Sequence, residues 1–394
     1  MIRHSRPWVT EEDAAAVAAT LRAGCLAEGE QVRRFEAQVA QAVGQRYGLA
    51  TSSGTAALHL ALLALGVGEG DEVLLPSYVC TAVLNAVHYR RARPVLCDVD
   101  PETGNLDPRD AQARISPRTK AAIVVHLFGH PAELDWVQGT AVPVIEDCAH
   151  ALGARWRDRP VGSFGAIAVF SFYATKVIST GEGGMACTSS AALMQRMREL
   201  RDYDNRDCYE MRYSYKMSDI QASLGLAQLA RLPQALARRR ALAGRYNAAL
   251  ADAGVGLPPR RESCEPIFYR YVIRTKQPAR AIAEFADHSI ECKRPVFRPL
   301  HQYLDGHGSA CGGLVNTDRI YTESLSLPLY PALSDREADL VTAAARAIFG
   351  DGHEGEALAL RSEASLLSSS PCVAGFAEQG RRVAKVSQSG VEIR

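Results

Sequence analysis

The stretch Ser171-Phe172-Tyr173-Ala174-Thr175-Lys176 decides how this chain is read. It follows the apolar run 166–170 and precedes Gly181-Glu182-Gly183-Gly184, so a lysine leaves the end of a buried strand and enters a glycine-rich turn. Upstream, a second apolar run at 142–145 ends in Glu146-Asp147-Cys148-Ala149-His150, which sends an acid and an imidazole out of a neighbouring strand end. A third junction, Thr51-Ser52-Ser53-Gly54-Thr55-Ala56-Ala57-Leu58, passes from a small-residue turn into an apolar segment of helical period. Free N–H groups and the helix dipole at such a junction favour an anion.

Each element alone has a plainer reading. Lysines after strands are mostly solvated, an acid ending a strand mostly caps a turn, and Ser-Gly-Thr is a common helix start. Together they supply an amine able to form a Schiff base, a carboxylate for a pyridinium nitrogen and a cradle for a phosphate. Those are the requirements of pyridoxal 5'-phosphate (PLP).

Between residues 46 and 187, short β-rich runs at 48–51, 72–75, 94–98, 121–126, 142–145, 166–170 and 184–187 alternate with helical segments. That alternation predicts an α/β fold with a mainly parallel, seven-stranded sheet flanked by helices and ligands at the carboxyl ends of the strands. Asp147 and Lys176 both fall there. The Ala-, Leu- and Arg-rich stretch 218–251, broken by Pro233, predicts a helical link to a smaller α+β domain that opens near Pro258 with a strand at 267–275. The expected division is a large PLP-binding domain over 1–250, a small C-terminal domain over 251–350 and an extension over 351–394 of unassigned structure.

A chain of 394 residues with 47% hydrophobic residues can bury a large core. Its formal net charge of +1 gives no bulk electrostatic case for nucleic acid or an acidic membrane surface. No stretch approaches the length of a membrane span, and no apolar signal segment follows the first residues. The ten cysteines lack paired Cys-x-x-Cys spacing, which points to reduced thiols in a cytoplasmic protein and to no metal site.

The linked motifs resemble one family, the DegT/DnrJ/StrS sugar aminotransferases, which are fold-type I PLP enzymes. The resemblance covers roughly residues 5–350 and adds to the three junctions Gly70-Asp71-Glu72-Val73, Cys97-Asp98-Val99-Asp100, Met217-Ser218-Asp219, Pro299-Leu300-His301 and Leu325-Ser326-Leu327-Pro328. It implies that Lys176 forms the Schiff base and later moves protons, that Asp147 holds the pyridinium proton, and that His150 lies by the ring's phenolic oxygen. Gly54, Thr55 and Ser171 match phosphate-binding positions, while Tyr78, Glu182, Phe297 and His301 are carried over as substrate-binding. It further implies a homodimer with shared active sites, acting on a small-molecule keto substrate and an amino donor.

Departures from the family pattern concentrate where substrate is chosen. Cys80 stands where an aromatic commonly stacks on the cofactor ring. Ser214 stands where an asparagine reaches the partner's cofactor phosphate, with Lys216 nearby, and Val296-Phe297 replaces His-Tyr. The leading expectation is amino transfer from glutamate or glutamine to a keto-sugar, nucleotide-linked or related, or to a cyclitol. Another PLP reaction on this scaffold (dehydration or oxidation) and a non-catalytic regulatory relative remain as alternatives. A nicotinamide dehydrogenase fits less well, because Gly66-Val67-Gly68-Glu69-Gly70 follows a helix and lacks dinucleotide-binding spacing.

Overall fold

The computed structural model describes residues 1–304 and 313–350. The expected extension at 351–394 lies outside the described residues. Among the described residues twelve strands are formed: β1 (Tyr47–Thr51), β2 (Glu72–Pro76), β3 (Arg93–Cys97), β4 (Thr119–Val125), β5 (Val144–Asp147), β6 (Arg155–Trp156), β7 (Arg159–Pro160), β8 (Ile167–Ser171), β9 (Gly184–Thr188), β10 (Cys264–Glu265), β11 (Tyr271–Arg274) and β12 (Ser324–Leu327). The first helices are α1 (Glu11–Ala23), α2 (Glu30–Ala42), α3 (Gly54–Ala64), α4 (Thr81–Tyr89), α5 (Pro108–Ala113) and α6 (Ala191–Arg201). They are followed by α7 (Asp219–Ala230), α8 (Leu232–Ala249), α9 (Pro278–Asp287), α10 (His301–Leu304), α11 (Val315–Glu323) and α12 (Asp335–Phe349). No helix among the described residues is long and apolar enough to cross a membrane.

Seven strands make one sheet in the order β1-β9-β8-β5-β4-β2-β3. Only β9 runs against its neighbours, so the sheet is mainly parallel, as the alternating pattern implied. Parallel strands carry helices on both faces and therefore read as continuous apolar runs. The pleat then divides each run between two cores. Ala122, Val124, Ala168 and Phe170 join the core under α2 and α7. Ile123, Val125, Ile167 and Val169 join the core under α3, α4 and α6.

A third core gathers β11, β12, α9 and α12 around Tyr246, Tyr271 and Phe285. Helix α8 joins the parts, since Leu232 and Leu236 pack in the first core while Leu242, Tyr246 and Leu250 pack in the third. The expected break near Pro233 is real: α7 stops at Ala230, and Pro233 sits in the first turn of α8, where its missing N–H is no loss. The strand expected at 267–275 is shorter. Phe268 adopts a left-handed backbone (φ 51), which interrupts the extended run and delays β11 to Tyr271.

The sheet edge that matters is tightly built. The start of β9 passes beneath the turn between β1 and α3, and a Cβ on Gly184 would lie 2.3 Å from the Ser53 carbonyl oxygen and 2.5 Å from the Gly54 nitrogen. Gly184→Ala should therefore lower unfolding stability in urea by about 1–3 kcal/mol, the usual cost of overpacking. An unchanged midpoint would mean that this turn yields freely.

Candidate active site

Four chain segments converge at the carboxyl end of the parallel strands. Helix α3 starts there, capped by Ser53, whose hydroxyl accepts the Ala56 amide at 3.1 Å. The amides of Gly54 and Thr55 have no intrahelical carbonyl to reach, and the first turn of α3 holds no acidic side chain. Ser171 ends β8 against this turn: a Cβ on Gly54 would come 2.9 Å from the Ser171 Cβ. Its hydroxyl has no hydrogen-bond partner among the described residues. Unspent amides, an uncompensated helix dipole and a free hydroxyl fit a phosphate monoester.

Glu146 and Asp147 close β5 on opposite faces of the sheet and have opposite chemistry. Glu146 is fully buried, and its carboxylate accepts the amides of Gly162 (2.8 Å), Phe164 (2.7 Å) and Gly165 (2.6 Å) and faces His126 Nε2 at 3.1 Å. Burial by itself would raise this acid, but His126 and those amides outweigh it and hold the carboxyl below its ordinary range. Asp147 is also buried, yet only Oδ1 is engaged, by the Ala149 amide at 2.9 Å. Burial raises its carboxyl, opposed by that amide and by the charge of Lys176. Asp147 Oδ2 makes no hydrogen bond among the described residues, so the site contains an acid still lacking a cationic donor. A pyridinium N–H would supply one.

Lys176 and His150 share a wall with Tyr269, whose importance the motif reading missed. The Lys176 ammonium lies 5.2 Å from the Tyr269 ring centroid, and His150 stacks on the same ring with centroids 4.4 Å apart and planes at 24°. Tyr269 is in turn held through Thr175, hydroxyl to hydroxyl at 3.2 Å. Burial, then the charges of Lys176 and Arg270, keeps His150 far below the ordinary imidazole range and hence neutral. His150 Nδ1 accepts the Phe128 amide at 3.4 Å, which leaves Nε2 as the N–H donor. Only the alternation of Ile267, Tyr269, Tyr271 and Ile273 in the sequence hinted that Tyr269 points inward.

Cys80, at the N-terminus of α4, completes the group. Its side chain has open surface, but it lies in a concavity with protein on most sides, so burial still raises the thiol. Asp147 raises it further and Lys176 opposes, which places Cys80 within the field of both.

Other expected site residues sit elsewhere. Tyr78 is 1% exposed, edge-on to Phe128 behind the cleft wall, and so is not open to a substrate in this conformation. His301 is buried too, paired with Ser77 Oγ at 2.8 Å and Asp318 at 3.1 Å, and thereby docks the Pro-Leu-His turn onto the loop that carries Cys80. Glu182, Ser214 and Phe297 are exposed, Phe297 at 83%. Lys216 is engaged with Asp202 (2.9 Å) and Asp204 (3.3 Å).

His126, Glu146 and Cys148 bring ligand-type atoms within 4.8 Å of one another. The cluster has little to offer a cation, because both Glu146 oxygens already accept backbone amides and His126 Nδ1 accepts the Ala132 amide at 3.0 Å. It is a hydrogen-bonded brace.

The profile of the DegT/DnrJ/EryC1/StrS aminotransferase family matches residues 7–346. The chain belongs to this family. GDP-perosamine synthase of Caulobacter vibrioides is 37% identical over 331 residues, covering 80% of this chain and 89% of that protein. The spore coat polysaccharide biosynthesis protein SpsC of Bacillus subtilis is 34% identical over 374 residues, covering 88% and 96%. Among solved structures, S. venezuelae DesV superposes with TM-score 0.83 at 32% identity, covering 87% of this chain and 95% of that one. The PLP-form of Spr1654, a putative sugar aminotransferase of Streptococcus pneumoniae, gives 0.82 at 26% identity, covering 92% and 98%. As a family member with the fold-type I architecture, the chain is an aminotransferase.

The two neighbouring acids should respond oppositely to neutralisation. Glu146→Gln removes a satisfied buried charge and should lower stability at neutral pH by about 2–4 kcal/mol. Because the folded carboxyl is depressed, its contribution is present above the unfolded value and disappears as pH falls through the folded one, so the two proteins should converge in acid. Asp147 is raised, so its charge costs stability as pH rises, and Asp147→Asn should stabilise the cofactor-free protein at neutral pH. Urea titrations across pH measure both, and equal responses would show that the two acids share one environment.

Proposed function

We propose that this aminotransferase binds pyridoxal 5'-phosphate on Lys176 and moves an amino group from glutamate or glutamine to the keto group of a sugar, nucleotide-linked or related, or of a cyclitol. The observation that carries the reading is the meeting of Lys176, a half-satisfied buried Asp147 and the unspent α3 N-terminus at one sheet edge. The names of its relatives, a perosamine synthase and a spore polysaccharide protein, support a sugar as acceptor.

When bound, PLP supplies an electron sink that lets an amino acid exchange its amine. The protein's share is positioning and proton control. The Gly54 and Thr55 amides and Ser171 Oγ bind the phosphate, and Asp147 Oδ2 holds the pyridine-nitrogen proton. Neutral His150 would donate from Nε2 to the phenolic oxygen. Lys176 Nζ would carry the proton at the donor's α-carbon, and Cys80, a protonated thiol, would offer the cofactor a weaker contact than an aromatic would make. Glu182 and Phe297, both exposed, are assigned to the acceptor, while Tyr78 and His301, both buried, act by shaping the wall. The unpaired thiols of Cys148 and Cys187 suit a reducing cytoplasm.

Borohydride treatment of the loaded protein should fix the cofactor on Lys176 in a peptide map; attachment to another lysine would overturn the site. Asp147→Asn should still load cofactor yet slow the glutamate half-reaction by ~100-fold, the equivalent of about 3 kcal/mol, as followed by stopped-flow absorbance. Wild-type speed in that variant would mean that another acid holds the proton.

The chain further works as a homodimer whose sites are shared. Tyr203, Tyr209 and Met211 expose 58%, 97% and 67% of their surface on the segment that ends at Ser214 and Lys216, a large apolar area for a monomer to leave in water. In mixed dimers, inactive Lys176→Ala combined with an inactive Ser214→Ala/Lys216→Ala double variant should regain part of the activity. Verified subunit exchange without recovery would remove the shared site.

A further inference from the structure

Two non-glycine residues with left-handed backbone meet beside the candidate site, Phe128 (φ 58) and Phe268 (φ 51). A bulky residue takes up that conformation at a steric cost, and it persists only where the surroundings over-determine it. Here the surroundings are two segments zipped together. The Ile267 amide donates to the Gly129 carbonyl at 3.0 Å, and the Arg270 amide donates to the Phe128 carbonyl at 3.3 Å. Gly129 is left-handed as well (φ 85), and a Cβ there would lie 2.8 Å from the Tyr269 nitrogen and 3.1 Å from the His150 carbonyl oxygen. The strained turn thus presses the chain around His150 against the chain around Tyr269.

What this contact presents to the site is the Tyr269 ring. It is 5% exposed and meets three groups: the His150 imidazole, stacked with centroids 4.4 Å apart and planes at 24°, Lys176 Nζ at 5.2 Å from its centroid and the Arg270 guanidinium at 5.3 Å. The ring is anchored beyond the zip. Its hydroxyl is bonded to Thr175, the residue before Lys176, at 3.2 Å, and the Tyr269 carbonyl accepts Arg239 Nη1 at 3.2 Å. Those two cations and the bond to Thr175 outweigh burial and hold the Tyr269 hydroxyl below its ordinary range, which records how closely the ring is tied to the lysine's surroundings.

His150 by contrast has one hydrogen bond among the described residues, from the Phe128 amide to Nδ1 at 3.4 Å. A single contact at one nitrogen leaves an imidazole free to rock, because its ring torsion has broad wells; a second ring packed on its face removes that freedom. Burial, Lys176 and Arg270 keep the imidazole neutral, so its one N–H is on Nε2 and points wherever the ring plane directs it. We propose that Tyr269 is a positioning residue for the reaction: tied to Thr175 and stacked on His150, it fixes the imidazole plane and so aims Nε2–H at the cofactor's phenolic oxygen. This rests on the PLP reading of the Lys176 site and deepens it, since Tyr269 acts on His150 and His150 acts on the cofactor. The strain at Phe128 and Phe268 is then the cost of placing that ring.

The test uses loaded full-length protein carrying nitrogen-15 histidine, with the His150 signals assigned by their loss in His150→Gln. In wild type the His150 ring protons should be shifted upfield by the Tyr269 ring, and the Nε2–H tautomer alone should persist between about pH 6 and 8, where an ordinary imidazole titrates. Tyr269→Phe should keep both features. Tyr269→Leu, or Tyr269→Met if the first does not fold, should lose the upfield shift and average the two tautomers. The limiting rate of the glutamate half-reaction should fall about tenfold or more in the ringless variant and about threefold or less in Tyr269→Phe, with half-saturating glutamate within about threefold of wild type, the pattern of lost orientation rather than lost binding. Borohydride labelling of Lys176 should be unchanged throughout. No upfield shift in wild type, or a ringless variant whose His150 signals or limiting rate match wild type while Lys176 still labels, would overturn the role of Tyr269. Failure of wild-type Lys176 to label would overturn the parent reading instead.

Discussion

The buried carboxylate of Glu146 is the contact on which the site's geometry hangs. It sits one residue from Asp147 on β5 and gathers the amides of Gly162, Phe164 and Gly165, the turn that launches β8. Strand β8 then delivers Ser171 and, after five residues, Lys176. A charge buried with four donors is rigid, because any displacement strands it in a low-dielectric interior. The separation of the acid from the lysine is thus set by a group on the opposite face of the sheet from Asp147, wholly engaged by protein donors.

Adjacent positions on one strand illustrate how environment, not residue type, assigns chemistry. Glu146 faces amides and His126 and is kept ionised; Asp147 faces the cleft, half satisfied, and is raised by burial. Pairs of titratable groups driven apart in this way mark acid–base sites. Cys80 and His150, both held in their neutral forms by burial, keep Lys176 and Arg270 as the positive charges there and Asp147 as the one acid beside the lysine.

Much of this was legible in the sequence because it is local. The apolar runs are continuous since parallel strands are buried on both faces, and Lys176, Asp147 and Gly54 announce themselves by standing at the ends of such runs. What was not legible is contact between distant segments. Tyr269 lies 93 residues beyond Lys176, in a stretch whose left-handed Phe268 shortened the expected strand. Tyr78 follows the Pro76-Ser77 turn as a cleft residue should, but its ring packs inward against Phe128 and Gly104. His301 likewise belongs to a recognisable motif, yet its partners Ser77 and Asp318 come from elements on either side of it in the chain. A motif fixes which residues recur together, not which way each side chain turns.

The basic recess beside Lys176 follows from the same division. Two arginines of the α8 and β11 neighbourhood and one of the N-terminal segment approach Lys176 from the part of the chain built around the third core, whereas Asp147, His150 and the α3 turn come from the seven-stranded sheet. Asp147, His150 and the α3 turn are therefore fixed to the sheet, and the arginines arrive from segments next to the third core. Helix α8 couples the two, carrying Arg239 between Leu236 in one core and Leu242 in the other, with its guanidinium bonded to the carbonyls of Phe268 and Tyr269. Tyr269 packs in the first core and Tyr271 in the third, so a shift of the third core against the sheet would move Arg270, between them, relative to Lys176. Packing along α8 thus sets the distance between Lys176 and Arg270.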